Sequence, residues 1–475
     1  MARIIVLGGG VCGLAAGILL RRDGHDVTVL ERDPEPAPSS AEDAWERWQR
    51  DGVTQFRQTH YLTPRGREVL DAVLPEVRIG LAAEGGMPLN SLAMMPPTIT
   101  DRAPREGDER FITINARRST VEQVLARTAE TESGLGIRRG VTVTGLVARG
   151  YDGVPHVEGV RTQDGEELAA DLVVDATGRR SQLPRWLEAA GAGPVNEEAE
   201  DSGFLYYTRY FRARNGGMPE FHAPLLSMMG TFSILTVPAD NGTWSVTIYA
   251  ASGDQPLKQL RDPDVWHRLL AACPLHAHWL DGEPLGGVTA MGGIVDRHRR
   301  LHYGGQPIAT GVALVGDAWA CTNPSLGRGM TLGLMHVRRL RDIARSHLDK
   351  PHEFAEAWDA VTESEFTPWY RETVEEDHAR LQEIEALRDG RVPEPPSDPS
   401  AAMRGAMFAS FAFDADVFRA FLGTRACLWR IEEACADERL MQRMTELARD
   451  APPLRLPGPD REQLLSLLAA SPAPA

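Results

Sequence analysis

The sequence predicts an α/β fold with a Rossmann-like strand–helix–strand unit at its start, a second domain built on an antiparallel sheet, and a helical C-terminal region. Three observations carry this. A glycine-rich turn sits inside "IIVLGGGVCGLAAGILLRRDGHDVTVLERD", residues 4–33. Residues 186–300 contain alternating segments such as "FSILTVPADNGTWSVTIYA", with a turn signal at Asn241-Gly242. Beyond residue 345 the apolar residues recur at helical spacing, above all in "FAEAWDAVTESEFTPWYRETVEEDHARLQEIEAL".

The first unit is justified residue by residue. Ile4 to Leu7 is a short apolar run suited to a buried parallel strand. Leu14, Ile18 and Leu19 fall on one helical face, and Gly24 ends the helix. "DVTVLE" is a second strand closing on Glu31, with Arg32 next to it. In such a unit Gly8 permits the sharp turn, Gly10 clears the approach of a pyrophosphate, and Gly13 lets helix and strand pack closely. The helix N-terminus offers free N–H groups to phosphate, and Glu31 is placed for ribose hydroxyls. The alternative is a glycine-rich turn in an ordinary α/β unit.

Further along, a helix is expected through Trp45 and Trp48 and another from about Pro64 to Leu74. Residues 75–105 read as irregular. "FITINARRSTVEQVLARTAE" gives a strand, then Arg117 and Arg118, then a helix with Val121, Val124 and Leu125 on one face. Strands with a tight turn at Asp164-Gly165 lead to "DLVVDATGRRS". The proline-rich "GRVPEPPSDPS" reads as a linker and the terminal "SPAPA" as disordered.

At 475 residues the chain has room for two or three domains. A net charge of −16 argues against nucleic acid or an anionic membrane as main partner. Cys12, Cys273, Cys321, Cys427 and Cys435 are scattered without metal-ligand spacing, so reduced thiols in a cytoplasm and no metal are expected. No signal peptide is expected before the first strand, and no apolar run approaches the roughly 20 residues that span a bilayer.

Two more stretches specify the dinucleotide. In "DLVVDATGRRS" an apolar strand ends at Asp175, ahead of Gly178. In "GVALVGDAWACTNPSLGRGMTLGL" a strand delivers Gly316 and Asp317, a loop carries Pro324, and Gly327 and Gly329 open a helix. With the first glycine turn, these motifs make residues 3–345 resemble the FAD-dependent monooxygenases of the p-hydroxybenzoate hydroxylase type, nearest the polyketide and squalene epoxidases and the flavin halogenases. The resemblance implies a discontinuous FAD-binding domain (1–74, 106–185 and 301–345), a substrate-binding sheet domain (75–105 and 186–300) and a helical region (346–475). It implies that Asp317 bonds a ribityl hydroxyl, that Arg118 contacts the phosphate–ribityl region, and that the helix opening near Gly327 faces the flavin N1–C2=O edge. Where the commoner wording has Gln, this chain has Arg328, which either faces the flavin or points to solvent. Gln55, Gln58 and His60 are either groups near the isoalloxazine or a polar loop before a helix.

The resemblance implies oxygen insertion through a flavin C4a-hydroperoxide, by epoxidation or hydroxylation of a largely apolar natural-product intermediate. O2 is the co-substrate, and electrons come from NAD(P)H or a partner flavin reductase. The sheet aromatics Phe204, Tyr206, Tyr207, Tyr210, Phe211 and Phe232, with Met228 and Met229, are either core or a pocket wall. The alternative activity is an FAD-dependent reductase or dehydrogenase of an isoprenoid-like substrate. Halogenation is disfavoured, because the Trp-x-Trp-x-Ile-Pro run of those enzymes is absent and the first lysine is Lys258.

Overall fold

The computed structural model describes residues 1–214, 217–392, 399–451 and 455–469. The terminal "SPAPA" and most of the proline-rich stretch lie outside the described residues.

The centre of the molecule is a five-stranded parallel sheet in the order Val312–Leu314, Leu172–Asp175, Arg3–Leu7, Asp26–Glu31 and Leu135–Arg139. The central strand shows why its sequence is an unbroken apolar run. Ile4 and Val6 face one core, with residues of the helices Val11–Arg22, Arg118–Thr131 and Gly329–His347. Ile5 and Leu7 face the other, with Val157 and Val160 of a three-stranded antiparallel sheet. Both faces are covered, so neither can be polar.

The second domain is an antiparallel sheet in the order Leu226–Met228, Phe232–Pro238, Thr243–Ala251, Phe204–Arg212 and Glu283–Pro284. Its hairpin turns at Asn241 and Gly242, both with positive φ (54° and 64°), as the turn signal requires. This sheet too is buried on both sides. Tyr207 and Phe211 pack with Trp244 and Trp266, while Phe204 and Tyr206 pack with Tyr249 and Ile384. The two domains are joined by a fully buried ion pair. Arg117 donates through Nη2 and Nε to Asp240 Oδ2 at 2.6 and 3.0 Å, and its backbone N–H donates to Oδ1.

The C-terminal region is helical, and it wraps both domains. Pro351–Val361 continues through a π-helical turn at residues 362–366 into the long helix Thr367–Arg388. Leu464 and Leu468 of the helix Arg461–Ala469 enter the sheet-domain core.

Two local expectations differ. The helix through Trp45 stops at Glu46, leaving Trp48 beyond it. Residues 75–105 are not irregular throughout. Pro75–Ala83 is a helix, and Met87–Asn90 is a strand pairing with Ile112–Asn115. Val77 and Leu81 of that helix lie in the core that holds Ile4 and Val6, not in the antiparallel sheet. Proline at the first helical position preset the turn.

Candidate functional site

Two cavities meet at the carboxyl ends of the parallel strands, where an open α/β sheet leaves its crevice. One, of about 290 Å³, is lined by the glycine turn, Glu31, Arg32, Arg50 and residues 176–180. The other, of about 260 Å³, lies between the parallel-sheet domain, the antiparallel sheet and the C-terminal helices. Gln55, Arg118, Arg179, Asp317, Gly329 and Met330 line both, so the two are continuous.

The glycines divide by role. Gly8 has φ of +96°, and a Cβ there would stand 2.7 Å from Ala176 O. A Cβ on Gly13 would meet Gly8 O at 1.8 Å. Both serve the turn itself. Gly10 and Gly329 are different, because a Cβ at either would meet nothing within 4 Å. They clear cavity space at the start of two helices, Val11–Arg22 and Gly329–His347. Unpaired N–H groups in the first turn of each face that space. Gly316 sits tight against Cys12 Sγ, and Gly327 closes the turn begun at Pro324.

Glu31 braces the loop as well as lining the cavity. Its Oε2 accepts from Gly9 N at 2.8 Å and Arg50 Nη2 at 3.0 Å, and its Oε1 accepts from Asp33 N at 2.9 Å. Arg50, which sequence reasoning missed, is buried among Glu31, Asp33 and Glu122 and also donates to Gly9 O. Arg32, an exposed residue, lines the same cavity. Arg118 donates to Glu122 at 2.7 Å across one helical turn.

Asp317 lies at the junction. No hydrogen bond among the described residues engages its carboxyl group. Burial pushes its pKa up, and the nearby Arg118 and Arg179 guanidinium groups oppose that. Arg179 lines both cavities and was also missed; the only hint was a basic pair after Gly178. Cys12 is an inert neighbour, its thiol pushed up to about 12 by burial and then by Asp317.

Asp175 and Arg328 point elsewhere. Asp175 lines neither cavity. Its Oδ1 accepts from Thr177 N and Oγ1 at 2.9 and 2.6 Å, and Oδ2 accepts from Ser181, so it caps the turn after its own strand. Arg328 is buried, facing neither cavity nor solvent. It donates to Glu372 Oε1 at 2.9 Å and Thr424 O at 3.1 Å, with its guanidinium 5.0 Å over Trp369. Gln55, Gln58 and His60 do line the interdomain cavity. Burial, reinforced by Arg118, drives the His60 pKa down to about 3, so the imidazole is neutral.

The aromatic wall of the interdomain cavity comes mainly from the C-terminal region, not from the sheet. Of the eight sheet residues considered, only Met228 lines it. Phe408, Phe411, Phe418 and Phe421 of the C-terminal region supply most of the aromatic surface, beside Tyr61, Trp319 and Tyr370, with Phe411 and Phe421 stacked at 4.4 Å. Arg425 stands beside them. Neither Lys258 nor Lys350, the two lysines of the chain, lines either cavity. Among the described residues no cluster of His, Cys, Asp or Glu could hold a metal, and no helix is long and apolar enough to cross a membrane.

Open glycine positions at two helix N-termini and an unengaged carboxyl between two guanidinium groups fit a dinucleotide bearing a sugar chain. Comparison with known proteins agrees. Residues 1–344 match the family model described as FAD binding domain. Protein Rv3254 of Mycobacterium tuberculosis is 26% identical over 385 residues, 77% of this chain and 78% of that protein. Among solved structures, PqsL of Pseudomonas aeruginosa, named a probable FAD-dependent monooxygenase, superposes with a TM-score of 0.60 at 17% identity, over 82% of this chain and 97% of its own. The flavin-dependent brominase Bmp2 superposes with a TM-score of 0.55 at 17% identity, over 94% of this chain and 92% of its own.

Proposed function

The chain belongs to the FAD-binding-domain family, and from that premise we propose that it is an FAD-dependent monooxygenase. It inserts one oxygen atom, by epoxidation or hydroxylation, into a largely apolar natural-product intermediate. The observation that carries this reading is the interdomain cavity: it is continuous with the dinucleotide crevice, walled by phenylalanines, and lined by no lysine.

In this reading the glycine-turn cavity holds the adenosine diphosphate part of FAD. The helix N-terminus at Gly10 and Val11 takes the pyrophosphate, and Glu31 and Arg32 border the ribose. Arg118 and Arg179 balance phosphate charge, and Asp317 accepts a ribityl hydroxyl. The bound flavin supplies the redox chemistry, the activation of O2 by two electrons from NAD(P)H or a partner reductase. The protein's residues do the rest. The helix N-terminus at Gly329 places a partial positive charge at the cavity junction. The phenylalanine wall orients the substrate and excludes water, and neutral His60 adds no competing charge. Hypohalous acid chemistry has no lysine to work with.

The test is anaerobic reduction of the FAD-loaded protein with NADPH, NADH or a separate flavin reductase, followed by 18O2 and candidate alkenes and aromatics. One labelled oxygen atom in the product is expected. Reoxidation without label in any product, together with reduction of a substrate double bond, would replace this reading with the reductase.

A further inference from the structure

We propose that the helix Thr367–Arg388, which lies beyond the family-matched residues, is a positioning element of the cofactor site, acting through Asp377 on the loop that enters the Gly329 helix. The inference rests on the FAD reading above. The loop residues Asn323 and Ser325 line the interdomain cavity. One oxygen of Asp377 holds both of them: Asn323 Nδ2 donates to Oδ1 at 3.0 Å and Ser325 Oγ donates to the same atom at 2.8 Å. Asn323 is gripped from two other sides. Tyr206 donates its hydroxyl to Asn323 Oδ1 at 2.7 Å, and the Asn323 backbone N–H donates to Asp296 Oδ1. Five residues on, the same loop is held again by the same helix, through Glu372 and Arg328.

This arrangement differs from ordinary core packing in one respect. Asp377 is buried, and its second oxygen has no hydrogen-bond partner among the described residues. The groups that act on it electrostatically are acidic: Asp296 from the strand Val295–Arg300 and Glu376 from its own helix. Tyr206 and Tyr249 of the sheet, both buried, also feel its charge. Arg425 of the helix Ala415–Arg425 pairs with Glu376. Burial, with that acidic company, pushes the Asp377 carboxyl up to about 7, and Asp296 to about 6. In the FAD reading the flavin end of the cofactor lies at this loop, and covering the Asn323–Ser325 face deepens the burial of Asp377 behind it. Cofactor binding therefore favours the protonated carboxyl, and affinity falls as pH rises through neutrality.

The experiment is the dissociation constant of FAD for the apoprotein from pH 5.5 to 8.5, measured by fluorescence quenching. The wild type is expected to bind several-fold more weakly at pH 8 than at pH 6. Asp377→Asn keeps an oxygen acceptor for both loop residues but cannot ionise, so its profile flattens to within twofold. Ser325→Ala removes a bond that stabilises the carboxylate, so it moves the wild-type midpoint to higher pH; this variant decides the matter should Asp377→Asn fail to fold. A flat wild-type profile, or a wild-type profile unchanged in Asp377→Asn, or an unmoved midpoint in Ser325→Ala overturns the proposal. A protein that binds no FAD at any pH overturns the FAD reading instead.

Discussion

Adding one methyl group to Gly10 and to Gly13, three residues apart, should have opposite consequences. At Gly13 the new Cβ would stand 1.8 Å from Gly8 O and 3.3 Å from Ala176 Cβ. Carbonyl and methyl cannot approach closer than about 3 Å, and the obstacles are a backbone carbonyl and the Cβ of an alanine, neither of which can swing aside. Overpacking a core typically costs ~1–3 kcal/mol, and with no flexible side chain to yield, Gly13→Ala belongs at the top of that range. Gly10 has φ of −87°, which alanine adopts freely, and its Cβ would meet nothing within 4 Å. Alanine is a poorer N-cap than glycine by under ~1 kcal/mol. The stiffer unfolded chain returns ~0.4–1 kcal/mol. Apoprotein stability should therefore be almost unchanged in Gly10→Ala, while the methyl group occupies the space assigned to the pyrophosphate. A loss of at least tenfold in FAD affinity is expected, about 1.4 kcal/mol. Thermal unfolding of the apoproteins and FAD titration by fluorescence quenching separate the two effects. Gly10→Ala binding FAD within twofold of the parent, or Gly13→Ala unfolding at the parent's temperature, would refute the division of roles among the glycines.

Asp317→Ala should weaken FAD binding by ~1.5–3 kcal/mol, the scale of a hydrogen bond to a charged group; unaltered affinity on titration removes it from the site. Asp240→Ala leaves the buried Arg117 guanidinium without its main partner and should cost ~3–5 kcal/mol, read as a lowered denaturant midpoint. His336 is fully buried and bonds Thr362 Oγ1 at 3.1 Å, and burial lowers its pKa to about 3. The unfolded chain binds its proton from about pH 6.5 downward, so stability present above 6.5 is lost on acidification at about 1.4 kcal/mol per pH unit. His336→Phe should show a shallower decline between pH 6.5 and 4.5, and an equal slope would count against that assignment. Truncation after residue 390 removes the four phenylalanines of the cavity wall and should give insoluble or flavin-poor protein; a soluble, fully active truncate would show the region to be an independent appendage.

What could be read from sequence was what is local. The glycine turn, the strands on either side of its helix and the Gly316-Asp317 strand end are each written within a few consecutive residues, and each is found in that form. The helix Pro75–Ala83 was legible in principle, from proline at its first position, but it is short and interrupted by Gly80. Arg50 and Asp377 were not legible. Each acts on a segment 19 to 54 residues away in sequence, and nothing near either residue announces a partner. Asp175 and Arg328 misled for the converse reason: they stand inside cofactor motifs, yet their side chains turn to neighbours that only the folded chain supplies. The sheet aromatics failed as a wall because the strand Phe204–Arg212 is covered on both faces.

The strand order of the parallel sheet also bears on how this protein is made. Its central strand leaves the ribosome as residues 3–7, but its far edge, Val312–Leu314, follows some three hundred residues later, and the helix Gly329–His347 later still. Until then Leu172–Asp175 presents an unpaired edge that is apolar up to its last residue. At roughly 5–20 residues per second, that edge is open for several seconds in every round of synthesis. The nascent chain therefore spends that time dependent on dilution or on a chaperone, and slowing translation between residues 175 and 312 should lower the yield of folded protein even though no residue has changed.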